Sequence, residues 1–288
     1  MDLRKQLTDR DWVALAKQEY QPLEVGQDIV IGHHCLGQVL QHYYAADGMQ
    51  LFVVGQNPHP KQVVILFKGS SGLRKGNLTT FDQEWLTTNL PILEAMLIQK
   101  RTIPSQLKTA ARTLNQLCHQ YQDAKLYLVG HSLGAINLQF ALAHCRFIGQ
   151  IRAAYLYEGT NLYPLLSRKE KHHVRKFRHK VNNYVDIYDP VTLGYVNCHD
   201  LIGKLRLVAS SPMPPIHQHM WGGYHFDING KVQLRQPDQE VKAVVRHQQE
   251  LIKITRSLGQ RSPLLNPTLR VSNLKQSSLT KNKRFSGK

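Results

Sequence analysis

Apolar positions along this chain change period several times, and each change marks a boundary between elements. Leu3, Leu7, Trp12, Leu15 and Ala16 recur near helical spacing, which predicts an amphipathic helix over the first twenty residues. Short apolar stretches then alternate with polar turns through "IVIGHHCLGQVLQHYYAADGMQLFVVGQ". They predict short strands, with Ala46-Asp47-Gly48 as a hairpin turn. Unbroken apolar runs at 63–67 and 126–129 predict buried strands, and "QIRAAYLYEG" and "VNNYVDIYD" predict two more. Helical patterns fill "FDQEWLTTNLPILEAMLIQK", "PSQLKTAARTLNQLCHQYQ" and 135–145. Pro104 stands near the start of the second of these, where a helix tolerates proline. "GGYHFDINGKVQLR" reads as a hairpin with a type I′ turn at Asn229-Gly230. A last helix starts near Asp238 and ends at Gly259. Buried strands alternating with helices predict a mostly parallel α/β sheet with helices on both faces.

The 288 residues, 42% apolar and 20% charged, suit a globular chain with one sizeable core. Residues 1–259 are expected to form one domain and 260–288 a disordered tail. No apolar run is long enough for a membrane span, and the charged N-terminus is no signal peptide. Those features predict a cytoplasmic protein or one peripheral to a membrane surface, although non-classical export leaves no such mark. Cys35, Cys118, Cys145 and Cys198 are scattered, without the spacing of a zinc site or a disulfide framework. No cofactor is expected.

The net charge of +17 is segmental. Residues 261–288 carry seven basic residues and no acid, and 168–180 carries seven basic residues against Glu170 alone. The second segment is expected as an insert, cap or lid on the sheet edge that would hold the chemistry.

That edge is suggested by "LVGHSLGAINLQFAL". Its G-x-S-x-G is a weak signal alone, but here a buried strand precedes it and a helical pattern follows, as a nucleophile elbow requires. A turn that sharp leaves no room for side chains at Gly130 and Gly134, and Ser132 is expected to stand exposed above the sheet. Its neighbour His131 is expected to point elsewhere. A serine hydroxyl needs a base, and the base an orienting carboxylate, in the chain order Ser, acid, His. Asp189 falls just after a strand and is the favoured acid. Asp186, within the strand, is the alternative and is expected to face outward or to cap. Downstream histidines are His199, His217, His219, His225 and His247. His217 and His219 share a loop from which either can swing over the strand ends, and His225 lies in the hairpin. Spacing does not choose between His217 and His219. Oxyanion donors are expected from the Leu133 N–H and from Gly69 and Ser70 in the loop after the 63–67 strand.

The set "FKGSSG", "LVGHSLGAINLQFALA", "VNNYVDIYDPVTLGY" and "HMWGGYHFDINGKVQL" resembles the class 3 lipase-like α/β-hydrolases. Within them it looks most like uncharacterised lipase-like proteins of Gram-positive bacteria, over residues 28–258. The resemblance implies an α/β-hydrolase fold, Ser132 as nucleophile, Asp189 as acid and His219 as base. His219 is singled out because the family's histidine precedes a Tyr-x-Phe and Asp-x-x-Gly hairpin, here Tyr224, Phe226, Asp227 and Gly230. Two departures stand out. Lys68-Gly69-Ser70 replaces the family's Arg-Gly-Thr, and Ala135 stands where the elbow commonly has glycine. The resemblance implies an ester or lipid substrate. Tyr155, Tyr157, Leu162, Tyr163, Leu165 and Leu166 are candidates to line an acyl pocket, and core packing explains several of them equally well. The basic segments 168–180 and 261–288 suit an anionic membrane surface. A different class of function, an inactive hydrolase scaffold binding nucleic acid or an anionic membrane surface through those patches, is opposed by the absence of a nucleic-acid motif.

Overall fold

The computed structural model describes residues 2–56, 59–70, 103–195 and 199–261, with side chains to residue 250. The helix expected from 81–100, Cys198 and the tail from 262 onward lie outside the described residues.

Two short helices open the chain, α1 (Leu3–Gln6) and α2 (Asp9–Gln18). A single helix was expected here. Thr8 divides it, because its hydroxyl accepts from the Asp11 N–H while the Asp11 carboxylate accepts from the Thr8 N–H. This reciprocal capping box starts a new helix. The five apolar positions are buried as their spacing predicts.

Among the described residues an eight-stranded sheet follows, with strands neighbouring one another in sequence order. They are β1 (Asp28–Ile31), β2 (His34–Tyr44), β3 (Gln50–Gly55), β4 (Gln62–Phe67), β5 (Lys125–His131), β6 (Ile151–Tyr157), β7 (Val181–Val185) and β8 (Lys204–Leu207). The strands β1 to β4 pair antiparallel, and β4 to β8 pair parallel. Parallel neighbours require crossovers. Helix α3 (Ser105–Gln120) precedes β5, α4 (Leu133–Ala143) joins β5 to β6, and α5 (Arg168–Lys176) joins β6 to β7. Two further helices, α6 (Pro215–His219) and α7 (Gln239–Arg261), follow the last strand. The last helix runs past Gly259, where its end was expected.

Side chains alternate across each strand, so the runs divide between two cores. Val63, Ile65 and Phe67 of β4 and Leu126 and Leu128 of β5 meet α3, α4 and α5 on one face. Val64, Leu66, Tyr127 and Val129 meet α1 and α2 on the other. Burial on both faces is why these strands read as continuous apolar runs. Trp12, stacked on Tyr155 with ring centroids 4.1 Å apart, anchors α2 to the sheet. Truncating so large a buried side chain costs about 3–5 kcal/mol. The architecture is a mostly parallel α/β sheet with helices on both faces.

The basic segment 168–180 is not draped over the strand ends. Val174 and Phe177 are buried in the α3–α5 core, His173 bonds the Cys145 carbonyl at 3.0 Å, and Lys180 Nζ donates to the Ile148 carbonyl at 2.9 Å. Cys145 and Ile148 precede β6, so the segment returns the chain along the sheet to the start of β7. A right-handed parallel connection needs such a return. Basic side chains occupy its outer face because the inner one is core.

Candidate active site

Strands β4 to β7 are parallel, so the loops leaving their C-terminal ends share one sheet edge. The elbow after β5 is as tight as its glycines suggest. A side chain at Gly134 would strike the Phe67 carbonyl, and one at Gly130 would meet the Gly134 backbone. Ser132 itself has φ 56° and ψ −127°, a conformation L-residues avoid. The expected exposure is corrected: Ser132 is fully buried, and its Oγ has no hydrogen-bond partner.

Asp189 and His219 are brought together. His219 Nδ1 lies 2.7 Å from Asp189 Oδ2, with the side chains 3% and 0% exposed. A carboxylate only accepts, so Nδ1 carries the proton and Nε2 is left as the basic nitrogen. Asp189 is fixed by its other oxygen, which accepts from the Val191 N–H at 2.8 Å. His219 ends α6, where a loop was expected. On a helix two residues lie about 200° apart, so His217 faces solvent when His219 faces Asp189. His225 is exposed and bonded to Ser211 Oγ at 2.9 Å.

Asp186 is neither outward-facing nor free. It is fully buried, with Oδ1 accepting from Ser210 Oγ at 2.6 Å and from the Tyr188 N–H at 3.0 Å, and Oδ2 accepting from Gln218 Nε2 at 2.5 Å. It thereby tethers the residue beside His219. Glu158, just after β6, accepts from the Asp186 N–H and from the Tyr224 hydroxyl. Burial first, and then the charges of Asp189 and Asp186, push the Glu158 carboxyl well above its usual range. Burial likewise raises Asp186. Glu158 and Trp221 share with Ser132 a positive φ, of 48° and 60°. Among the described non-glycine residues these three alone do so, and all surround this edge.

The loop after β4, expected to supply oxyanion donors, carries a second correction. Gly69 N–H donates to Glu19 Oε1 at 3.0 Å, so that amide is turned toward the end of α2. Its lack of a side chain has another use: a Cβ there would collide with the Tyr20 hydroxyl. Ser70 is partly exposed, and Leu133 opens α4. Glu19 is fully buried, which pushes its carboxyl well above the usual range. His131 does not point away from the site. Its Nδ1 lies 2.5 Å from the Tyr20 hydroxyl and its Nε2 lies 2.8 Å from the His219 carbonyl. Its ring packs on Trp221, with centroids 3.9 Å apart. Burial, and then the His219 imidazole, hold His131 well below the usual histidine range.

The candidate acyl-pocket residues are mostly core. Tyr155 stacks on Trp12, Tyr157 on Tyr184, and Leu162 packs with Phe140. A cavity of about 310 Å³ opens elsewhere, between the starts of α3 and α4, lined by Pro104, Leu107, Leu133 and Ile136 with Asp47, Ser105, Gln106 and Asn137. Among the described residues, no group of three or more His, Cys, Asp or Glu side chains is placed to hold a metal.

No family model matches the chain, and no curated protein does. Among solved structures it is similar to a mutant form of MDLA from Penicillium cyclopium, at 16% identity over 83% of this chain and 88% of that one, with a TM-score of 0.49. It is also similar to a Rhizomucor miehei triacylglyceride lipase, at 12% identity over 68% and 77%, with a TM-score of 0.43. A triacylglycerol lipase from Penicillium expansum aligns at 13% identity over 70% and 79%, with a TM-score of 0.40.

Sequence reasoning missed Glu19, Tyr20, Glu158 and Gln218. Glu19, Tyr20 and Glu158 reach the site from elements distant in sequence, Gln218 stands beside His219 on α6, and none belongs to a recognisable spacing.

Proposed function

We propose that this protein is a serine hydrolase of carboxylic esters, lipids included, acting through Ser132, His219 and Asp189. One observation carries the reading: a buried imidazole paired at Nδ1 with a buried carboxylate, on the same sheet edge as a serine held at positive φ. In this reading Ser132 Oγ attacks the ester carbonyl as His219 Nε2 takes its proton. The tetrahedral oxyanion is met by the Ser70 and Leu133 N–H groups, beside the positive end of the α4 dipole. The tetrahedral species collapses, the C–O bond to the alcohol breaks, and the imidazolium returns its proton to the departing alcohol. Water, deprotonated by His219, then cleaves the acyl-enzyme to the acid and free Ser132. Asp189 holds the tautomer throughout. The cavity beside Leu133 receives the acyl chain.

The test is labelling of the full chain with a fluorophosphonate probe together with turnover of p-nitrophenyl esters. Wild type should label and turn over, and Ser132→Ala should do neither while remaining folded. A Ser132→Ala protein with full activity would sink the assignment.

We also assign the outer face of α5, where Arg168, Lys169, Arg175 and Lys176 are exposed, to contact with an anionic lipid surface. Binding to phosphatidylserine vesicles should weaken as salt rises. Binding unchanged after these four are replaced by glutamine would refute that contact.

A further inference from the structure

We propose that Glu19 and Tyr20 are positioning residues: Glu19 sets the oxyanion loop by holding the Gly69 amide, and Tyr20, through His131, sets the backbone of His219. The proposal rests on the serine-hydrolase reading of Ser132, His219 and Asp189.

The two residues follow α2, which lies on the face of the sheet away from α4. Their side chains are hydrogen-bonded to each other there and reach different targets. Glu19 reaches the loop after β4 and Tyr20 the elbow after β5. An apolar side chain at position 19 would be easier to bury than a carboxyl. It would also leave the Gly69 N–H without an acceptor. Holding that N–H fixes the Lys68–Gly69 peptide plane, and with it the start from which Ser70 offers its own amide. The loop and the elbow are in contact, since a side chain at Gly134 would strike Phe67 and Lys68. A displaced loop therefore cannot leave the elbow undisturbed.

The second branch has a defined proton order. The His219 carbonyl can only accept, so His131 Nε2 carries the hydrogen. His131 Nδ1 is then an acceptor, and the Tyr20 hydroxyl donates to it. Removing that hydroxyl frees the His131 ring to rotate and releases the carbonyl of the residue paired with Asp189.

The experiment uses the full chain, with Glu19→Gln, Glu19→Asp, Glu19→Leu and Tyr20→Phe. Read out are kcat and KM on p-nitrophenyl butyrate, Tm, and the ¹⁵N resonances of the His131 ring. Gln keeps an acceptor at the same reach, so it should restore kcat to within about 3-fold of wild type. Asp retracts the acceptor by one methylene and Leu removes it. Both should lower kcat by about 30–100-fold with KM changed less than about 3-fold, somewhat below the loss from deleting an oxyanion donor outright. Tyr20→Phe should lower kcat by about 10-fold and move the His131 Nδ1 resonance toward that of an unbonded nitrogen.

A kcat that follows charge, with Asp normal and Gln poor, overturns the Glu19 assignment. So does a loss of kcat that vanishes when variants are compared at equal distances below their Tm values. If the Leu variant does not fold, the Asp–Gln comparison decides. A Tyr20→Phe protein with normal kcat and an unmoved resonance overturns the second branch. An active, labelled wild type with a flat Glu19 series rejects this proposal alone. A wild type that neither turns over nor labels rejects the hydrolase reading and this proposal with it.

Discussion

His219 Nδ1 and Asp189 Oδ2 meet at 2.7 Å across 30 residues of chain, each withdrawn from solvent. The pairing leaves one chemical consequence open to direct test. Asp189→Asn should lower kcat by roughly 10³–10⁴-fold, because an amide no longer selects the tautomer with a basic Nε2. Asp186→Asn should act differently. It disturbs the bonds to Ser210 and Gln218, so it should lower Tm while leaving kcat within about 10-fold of wild type. Steady-state kinetics and thermal melts on both variants check the pair. Equal losses of kcat would mean that the two acids share one role.

The histidines separate by helix geometry. His219→Ala should approach the Ser132→Ala level, since members of such a unit are not additive. His217→Ala and His225→Ala, both at exposed positions, should stay within about 3-fold of wild type in kcat/KM. An inactive, folded His217→Ala protein would transfer the role.

Chain length should be read at the cavity beside Leu133. Ser105 is an exposed lining residue at the start of α3, so Ser105→Trp narrows the cavity without entering the core. The ratio of kcat/KM for p-nitrophenyl octanoate to that for acetate should fall by about 10-fold, the scale on which a pocket discriminates by a methylene or two. An unchanged ratio would place the acyl chain elsewhere.

Glu158 makes stability depend on pH with a definite sign. Its native pKa is raised by burial and by Asp189 and Asp186. Between about pH 4.3 and that raised value, the native state holds a proton the unfolded chain has released. Stability from this group is therefore full below about pH 4.3 and is lost as pH rises toward the native pKa. Glu158→Gln removes the titration. The Tm of the variant relative to wild type should be lowest near pH 4 and climb through pH 7. A difference independent of pH would contradict the raised native pKa.

Much of this was legible in the sequence because both faces of the sheet are covered. Runs such as "VVILF" and "LYLV" could only be buried strands, and the glycines at 130 and 134 declared the elbow. Chain order and resemblance singled out Asp189 and His219, which the fold brings to 2.7 Å, and Ser132 at the turn before α4. What failed to show was set by tertiary contact. Thr8 split a helix that apolar spacing alone joins, and "PPIHQH" formed a helical turn that placed His217 and His219 on opposite sides. Asn229-Gly230 does not make a type I′ turn, since only Gly230 has positive φ and the Asp227 carboxylate takes the Asn229 and Lys231 amides. Glu19 at a helix end looks like surface until the fold closes over it.

The elbow itself supplies a last prediction, one that separates strain from chemistry. Ser132 sits at φ 56° and ψ −127°, where a Cβ is disfavoured and glycine is not. Ser132→Ala removes the hydroxyl but keeps the Cβ, so the strain remains. Ser132→Gly removes both. Residues held in such regions cost about 1–3 kcal/mol, while glycine in a fixed backbone loses about 0.5–1 kcal/mol more in unfolded-chain entropy than alanine. The first term exceeds the second, so Ser132→Gly should be more stable than Ser132→Ala by about 1 kcal/mol, and both should be inactive. Denaturant unfolding of the two variants side by side measures the difference, because the lost hydroxyl contacts cancel between them. If the alanine variant proves the more stable, the elbow stores no strain, and positive φ at Ser132 has no bearing on how the hydroxyl is presented.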